Sequence, residues 1–317
     1  MDSKILLIIN PRSGKKKKEQ IFEEVKEIIL DSGCTLDVKY TEHSGHATEI
    51  AKEAEGYERI ICMGGDGTLN EVCNGLLSKE KADRPKLGYI PAGSTNDFAQ
   101  GIGLPKKIKK SAKLAISDAC VPIDIGSFKT ENGERKFSYV ASFGAFTKIS
   151  YATKQDVKNR FGHFAYIFEG IKSLTDLNNF QPFKLRVETE DTVLEQEYIF
   201  GAVTNSTSLG GLVKLDKKNV KVNDGLFELL LIRKPTGFFA LADTVQQILR
   251  KKYNFERIVF SHTDKVVLTS EKPLDWTLDG EYAGAAANVE INVLHNAIDF
   301  IRNEEVRPRL FSKKKLP

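Results

Sequence analysis

The chain has 317 residues, of which 41% are hydrophobic and 28% charged, and its net charge is +4. This is the composition of an ordinary soluble globular protein, and the length exceeds what one hydrophobic core usually serves, so two domains are expected. A membrane-spanning helix is excluded, because no stretch approaches the ~18 continuous apolar residues a span needs. The lysines are clustered at Lys15–Lys18, Lys106–Lys107, Lys109–Lys110 and Lys313–Lys315. Each run alone reads as a solvated face, whereas several on one face would attract nucleotide phosphates or an anionic bilayer. Cys34, Cys62, Cys73 and Cys120 lack paired metal-ligand spacing, which points to a reducing cytosol. The five histidines show no metal-binding spacing either; His43 and His46 flank Gly45, where they would cap or contact phosphate.

The first third alternates strand and helix signals. Ile5–Ile9 is a buried-strand run that stops at Asn10-Pro11, too early for a signal-peptide core. An amphipathic stretch from Glu19 to Leu30, a strand at Leu36–Tyr40 and a helix at His46–Ala54 follow. Ile60–Met63 then leads into Gly64-Gly65-Asp66-Gly67-Thr68-Leu69-Asn70-Glu71 and a helix through Leu77, and Leu87–Ile90 ends at Pro91-Ala92-Gly93. This alternation predicts a parallel, doubly wound α/β sheet, a Rossmann-like nucleotide domain over residues 1–121. Ligands of such sheets sit at the carboxyl ends of the strands, so the segments at Asn10, Gly64 and Gly93 should converge on one edge.

Glycines at Gly64, Gly65 and Gly67 allow close approach to a ligand, and amides at a helix N-terminus suit phosphate. A carboxylate there would repel phosphate, and a cation such as Mg²⁺ between Asp66 and the phosphate resolves the conflict. Asn10-Pro11-Arg12-Ser13-Gly14-Lys15 is either a plain loop or a second phosphate-facing loop; it lacks the earlier glycine of a Walker A motif. In Ser94-Thr95-Asn96-Asp97, one residue caps the next helix, or the group also holds phosphate and orients Asp66, with Asp97 supporting a metal–water network.

Beyond about Val121 the pattern turns β-rich, with runs at Val121–Phe128, Phe137–Phe146, Phe183–Glu190, Val193–Val203 and Phe227–Ile232. Helices interrupt at Phe161–Leu174 and Phe238–Lys251. An antiparallel β-sandwich over 122–295 is predicted, with 296–317 as a C-terminal segment. Lys221-Val222-Asn223-Asp224-Gly225-Leu226 reads as a turn, or as oxygen ligands for a hard cation centred on Asp224. Leu278-Asp279-Gly280-Glu281, after a strand-like Pro273–Leu278, reads as an Asp-Gly hairpin turn, or presents Glu281 as a general base.

These motifs, in this order, resemble the diacylglycerol kinase catalytic family in its soluble bacterial branch, with sphingosine and ceramide kinases as more distant relatives. The resemblance extends to about Arg302 and departs at Ser208-Leu209-Gly210-Gly211, where relatives carry a fuller glycine run. It implies an ATP- and Mg²⁺-dependent kinase that phosphorylates a hydroxyl of diacylglycerol or a similar lipid to give phosphatidic acid. It assigns nucleotide contacts to Asn10, Pro11, Arg12, Ser13, Gly14, Thr41, Gly64, Gly65, Asp66, Gly67, Thr68, Leu69, Asn70 and Thr95. Glu281 would be the proton acceptor, acting with Asp66 through magnesium and water, and Lys221, Asp224 and Leu226 would form a structural magnesium site. The implied setting is the cytoplasm, with peripheral docking on anionic membrane, no nucleic-acid partner, and a homodimer left open. The C-terminal segment is expected to pack back on the nucleotide domain. Two rivals are an NAD kinase-like phosphotransferase, against which the Asn10 and Ser94 loops argue, and a catalytically silent lipid-binding regulator, against which Asp66 and Glu281 argue.

Overall fold

A computed structural model describes residues 3–13, 18–94, 96–144, 181–209, 213–216 and 218–302. Gly14, Thr95, Lys15–Lys17, the helix expected at Phe161–Leu174, Gly210-Gly211 and Lys313–Lys315 lie outside the described residues. Two compact units form, interleaved in sequence. The first comprises the described residues within Met1–Ile125, Val222–Asp224 and Leu294–Pro317; the second, those within Gly126–Lys221 and Gly225–Val293. Among the described residues no helix is long and apolar enough to cross a membrane.

In the first unit, β1 (Lys4–Ile9), α1 (Lys18–Leu30), β2 (Thr35–Tyr40), α2 (His46–Glu53), β3 (Arg59–Gly64), α3 (Asp66–Leu77), β4 (Lys86–Pro91), α4 (Asp97–Ile102) and α5 (Ile108–Ala115) follow the expected alternation. The strands pair in parallel in the order β2-β1-β3-β4. Ile5–Ile9 and all of β3 are buried, because helices cover both faces of the sheet and leave no polar side. Ile5, Leu7, Ile9, Ile61 and Met63 pack against Phe22, Val25 and Ile29 of α1 and Ala112 and Ala115 of α5. On the opposite face α3 packs on β3, and α2 on α3. Arg59 reaches past α5, donating to the carbonyls of Ile116 and Ser117, each at 2.7 Å. It thereby satisfies groups that the helix end leaves open.

Segments distant in sequence complete this unit. Phe300 pairs with Leu87 in parallel register. The Asp124 carboxylate, fully buried, accepts the Asn296 amide at 2.6 Å and lies 2.9 Å from His295 Nδ1. The Asp124 amide donates to the Val222 carbonyl at 2.8 Å. One buried carboxylate and its own backbone thus tie in both distant stretches.

The second unit is antiparallel. It takes over β5 (Cys120–Thr130) at Gly126 and adds β6 (Gly133–Phe137), β7 (Val140–Gly144), β8 (Phe183–Glu188), β9 (Val193–Thr204), β10 (Ser208–Leu209), β11 (Val213–Lys214), β12 (Phe227–Arg233), α6 (Phe238–Arg250), β13 (Ile258–Thr263), β14 (Lys265–Leu278) and the early part of β15 (Glu281–Ile301). The long strands β9 and β14 each pair with β8 along one half and β7 along the other, which forms the sandwich. Trp276 centres the core, with the Phe143 and Phe128 rings at 4.8 and 5.2 Å.

Two expectations from sequence change here. The strand predicted at Pro273–Leu278 starts at Lys265, and Pro273 falls in its register shift between Thr269 and Leu274, where a missing amide costs no ladder bond. The single strand predicted at Phe137–Phe146 is two, within its described part. Asp279, only 6% exposed, accepts the amides of Ser138, Tyr139 and Val140 at 2.6, 2.9 and 3.0 Å. A side chain has taken the amides a continuous ladder would use.

Asp279→Ala is therefore expected to lower the stability of the second unit by about 2–4 kcal/mol, because three buried donors lose a charged acceptor; the urea midpoint checks this. The burial of β3 also pushes the Cys62 thiol well up. With a thiol reagent at mildly alkaline pH, the half-buried Cys34 and Cys120 should label in the native protein, and Cys62 and Cys73 only after unfolding.

Candidate active site

Four loops leave the carboxyl ends of the parallel strands, and backbone bonds stitch them together. The Thr41 amide donates to the Ile9 carbonyl, Asn10 to Met63, and both Ala92 and Gly93 to Gly64. The convergence expected of the Asn10, Gly64 and Gly93 segments is therefore present, and the buried Thr41 joins it.

Asn10 organises its own loop and reaches the next. Its Oδ1 accepts the Arg12 amide at 2.9 Å, its carbonyl accepts the Ser13 amide, and its Nδ2 donates to Thr68 Oγ1 at 2.9 Å. Thr68 lies over Gly64, where a Cβ would stand 2.6 Å from the threonine side chain. A Cβ on Gly93 would stand 2.7 Å from Gly65 Cα. The two glycine loops meet backbone to backbone, which no larger residue permits.

Asp66 opens α3, with Gly65 as the N-cap residue. Its Oδ2 accepts the amide of Asp97, the first residue of α4, at 2.9 Å. One carboxylate thus sits at the start of two helices, where both dipoles favour negative charge. Asn96 makes the turn before α4 with φ of 50°, its side chain bonding the amide and carbonyl of Gly93 at 2.9 and 2.8 Å. Asn96, which precedes α4, makes no side-chain cap bond to that helix, its side chain being spent on Gly93. Tyr89 lies beneath and donates to the Gly64 carbonyl at 3.3 Å. Burial, reinforced by the negative charge of Asp66, holds the Tyr89 phenol well above its ordinary pKa and keeps it a donor.

The remaining motif residues divide by role. Leu69 is fully buried, so its side chain belongs to the core and only its backbone can serve a ligand. Asn70 accepts the Asn74 side-chain amide at 3.0 Å, one turn on. Glu71 is a residue whose role the spacing does not reveal. Its carboxylate accepts the amides of Gly45 and Ala47 at 2.9 and 3.2 Å, and its carbonyl accepts Thr48 Oγ1. Glu71 therefore caps α2 from outside that helix and positions the loop after Thr41.

His43 and His46 lie on either side of the Gly45 turn. Ligand atoms of His43, His46 and Glu49 lie within 4.8 Å of one another, and the two rings stack at 4.7 Å. The Gly45 turn, at φ of 86°, wraps a spacing that does not look like a ligand set in sequence. His46 Nδ1 already accepts the Glu42 amide at 3.1 Å.

Outside this edge, Glu281 is exposed at the first residue of β15, after a turn in which Asp279 and Gly280 have φ of 50° and 86°. That is the two-residue hairpin the Asp-Gly pair predicts. Lys221 and Asp224 are half-buried and Leu226 is exposed, on the segment leading into β12. Lys109 lies 3.3 Å from a Glu24 carboxylate oxygen, as expected of a solvated charge.

The first unit is doubly wound with an anchored aspartate in its glycine loop, and the second is an antiparallel sandwich. Residues 4–128 match the model of the diacylglycerol kinase catalytic domain, and residues 140–302 match the YegS C-terminal NAD kinase beta sandwich-like domain. The chain is 31% identical over 290 residues to a diacylglycerol kinase of Bacillus subtilis, covering 90% of this chain and 92% of that one. It is 30% identical over 318 residues to a diacylglycerol kinase of Staphylococcus aureus, covering 98% and 96%. The crystal structure of a putative diacylglycerol kinase from Bacillus anthracis superposes with a TM-score of 0.78 at 26% identity, covering 96% of each chain. The chain belongs to the diacylglycerol kinase family.

Gly93→Ala tests the crowding at this edge. It is expected to cost about 1–3 kcal/mol, as overpacking does. It should also lower kinase turnover at least tenfold, by on the order of the penalty for misplacing a site by an ångström, as measured by denaturation and by phosphoryl transfer.

Proposed function

We propose that this protein transfers the γ-phosphate of ATP to the hydroxyl of diacylglycerol or a closely related lipid, with Mg²⁺, giving phosphatidic acid. The observation that carries this reading is the anchored Asp66, set among the first-turn amides of α3 and the glycine backbone of two neighbouring loops. The relatives named diacylglycerol kinase support a lipid acceptor.

In this reading Asn10, Pro11, Arg12, Ser13 and Gly14, with Thr41, Gly64–Asn70 and Thr95, hold the nucleotide. Backbone amides carry the phosphates, and the Asn10–Thr68 bond keeps two loops in register. Asp66, with Asp97 supporting the surrounding water network, would hold Mg²⁺, which supplies charge neutralisation at the phosphates when bound. Glu281 accepts the proton of the lipid hydroxyl as its oxygen bonds to the γ-phosphorus and the bond to the leaving ADP breaks. Phosphoryl transfer asks for positioning and charge neutralisation more than covalent help, so this set suffices. Lys221, Asp224 and Leu226 would hold a second, structural Mg²⁺ through their oxygens, which suit a hard cation. The enzyme works from the cytoplasmic face, as a peripheral protein on anionic membrane.

The test is transfer of labelled γ-phosphate from ATP to a panel of lipids in mixed micelles with Mg²⁺, with NAD⁺ offered in parallel. Labelled lipid with unlabelled NAD⁺ is expected; labelled NAD⁺ alone would replace the acceptor. Glu281→Gln should lower turnover about 10²–10⁴-fold, the usual worth of a general base, and Asp66→Asn by at least as much. Both should retain the native circular-dichroism spectrum. Wild-type turnover in Glu281→Gln would remove Glu281 from its role.

A further inference from the structure

Three side chains of α3 each hold a different neighbour of the glycine loop. Asp66 accepts the Asp97 amide at the start of α4, and Thr68 Oγ1 accepts Asn10 Nδ2 from the loop after β1. Glu71 takes the loop after β2, with Oε1 accepting the Gly45 amide at 2.9 Å and Oε2 the Ala47 amide at 3.2 Å. Both carboxylate oxygens are used in charge-assisted bonds, which fix the side chain in place and in orientation. Asp66 and Thr68 already have parts in the kinase reading, and Glu71 has none.

The loop that Glu71 holds is exposed at Glu42, His43 and Ser44 and turns at Gly45 with φ of 86°. Within it, the Glu42 amide bonds His46 Nδ1 at 3.1 Å and the His46 amide bonds the His43 carbonyl at 3.4 Å. At one end the Thr41 amide ties it to the Ile9 carbonyl of β1. At the other, Glu71 ties it to α3, against which α2 lies so closely that a Cβ on Gly75 would stand 2.5 Å from the Thr48 carbonyl oxygen. Asp66 and Glu71 are five residues apart on one helix, about 7.5 Å along its axis. The spacing between the glycine loop and the Thr41 loop is thereby set by a rigid element.

That spacing suits a nucleotide. β2 pairs with β1 and β1 with β3, so Thr41 lies two strand spacings, about 10 Å, from the loop after β3. With phosphates on the glycine loops after β3 and β4, the loops after β1 and β2 remain for the ribose and base. We infer that Glu71 is a positioning residue for the nucleoside end of ATP: it sets the Thr41–Ala47 loop where ribose and base are received, while Asp66 serves the phosphates from the same helix. This role rests on the ATP reading of the edge and adds the side chain that fixes its far end. Glu71 itself touches no reacting atom.

The test measures binding of ATP and of inorganic tripolyphosphate to the full chain, each with Mg²⁺ and without lipid, by titration calorimetry. Glu71→Gln keeps one acceptor oxygen and turns an NH₂ group toward the second amide. It should weaken ATP at least tenfold and tripolyphosphate less than twofold, since tripolyphosphate has neither ribose nor base. In turnover the same variant should raise KM for ATP at least tenfold and leave kcat within twofold. Gly45→Ala meets open space but strains a φ of 86°, so it shifts the same turn without touching Glu71. It should also weaken ATP selectively, and it carries the test if Glu71→Gln loses its native circular-dichroism spectrum. Thr48→Val removes only the hydroxyl bond to the Glu71 carbonyl; it should lower the urea midpoint and keep wild-type ATP affinity, which separates positioning from stability. Equal losses for ATP and tripolyphosphate, unchanged ATP affinity, a fall in kcat with KM unmoved, or a wild type that ignores either ligand would overturn the inference. ATP-selective loss in a protein that phosphorylates no lipid would leave it standing and sink the kinase reading. Lipid phosphorylation with Glu71→Gln indistinguishable from wild type would do the reverse.

Discussion

The bond from the Asp97 amide to the Asp66 carboxylate, at 2.9 Å, is the contact on which the carboxyl edge of the parallel sheet depends. It joins the first residues of two helices that follow neighbouring strands, and it holds a charge at the start of both. The contact is reachable because the backbones of Gly65 and Gly93 touch, which draws the loops after β3 and β4 together. Tyr89 and Asn96 support it from below by fixing the Gly64 and Gly93 peptide groups. The carboxylate is thus oriented by groups that bond backbone atoms, and its position follows from the sheet.

A second carboxylate plays a comparable part in the sandwich. Asp279 gathers three consecutive amides, ends one strand, begins another, and holds the hairpin on which Glu281 stands. Buried Asp124 does the same for the chain's distant returns to the first unit. Asp279 does so between two strands, whereas Asp124 lies within β5 and meets Asn296 within β15. Burying such charges is tolerable because each is met by several donors at once.

Much of the fold was legible in the sequence. Fully apolar runs at Ile5–Ile9 and Ile60–Met63 can be satisfied only between two helical layers, and glycine-rich breaks after them mark the strand ends. The β-rich remainder, with Asn-Gly and Asp-Gly turns, reads as antiparallel for an equally local reason. The edge was legible as well, since Asn10, Gly64 and Gly93 must share the carboxyl side of a parallel sheet. Less legible were the split between Phe137 and Val140, the capping of α2 by Glu71, and the gathering of His43, His46 and Glu49.

What the sequence determined by itself, then, was which segments are strands, which loops carry glycine, and which acids stand in those loops. These depend on periodicity and on local backbone freedom, both of which are written residue by residue. Only the tertiary structure decided what each acid holds: Asp66 to Asp97, Glu71 to Gly45 and Ala47, Asp279 to Ser138 through Val140. The partner in every case is a backbone amide far along the chain. Amides are chemically alike at almost every residue, so nothing in the sequence distinguishes the one that will be met.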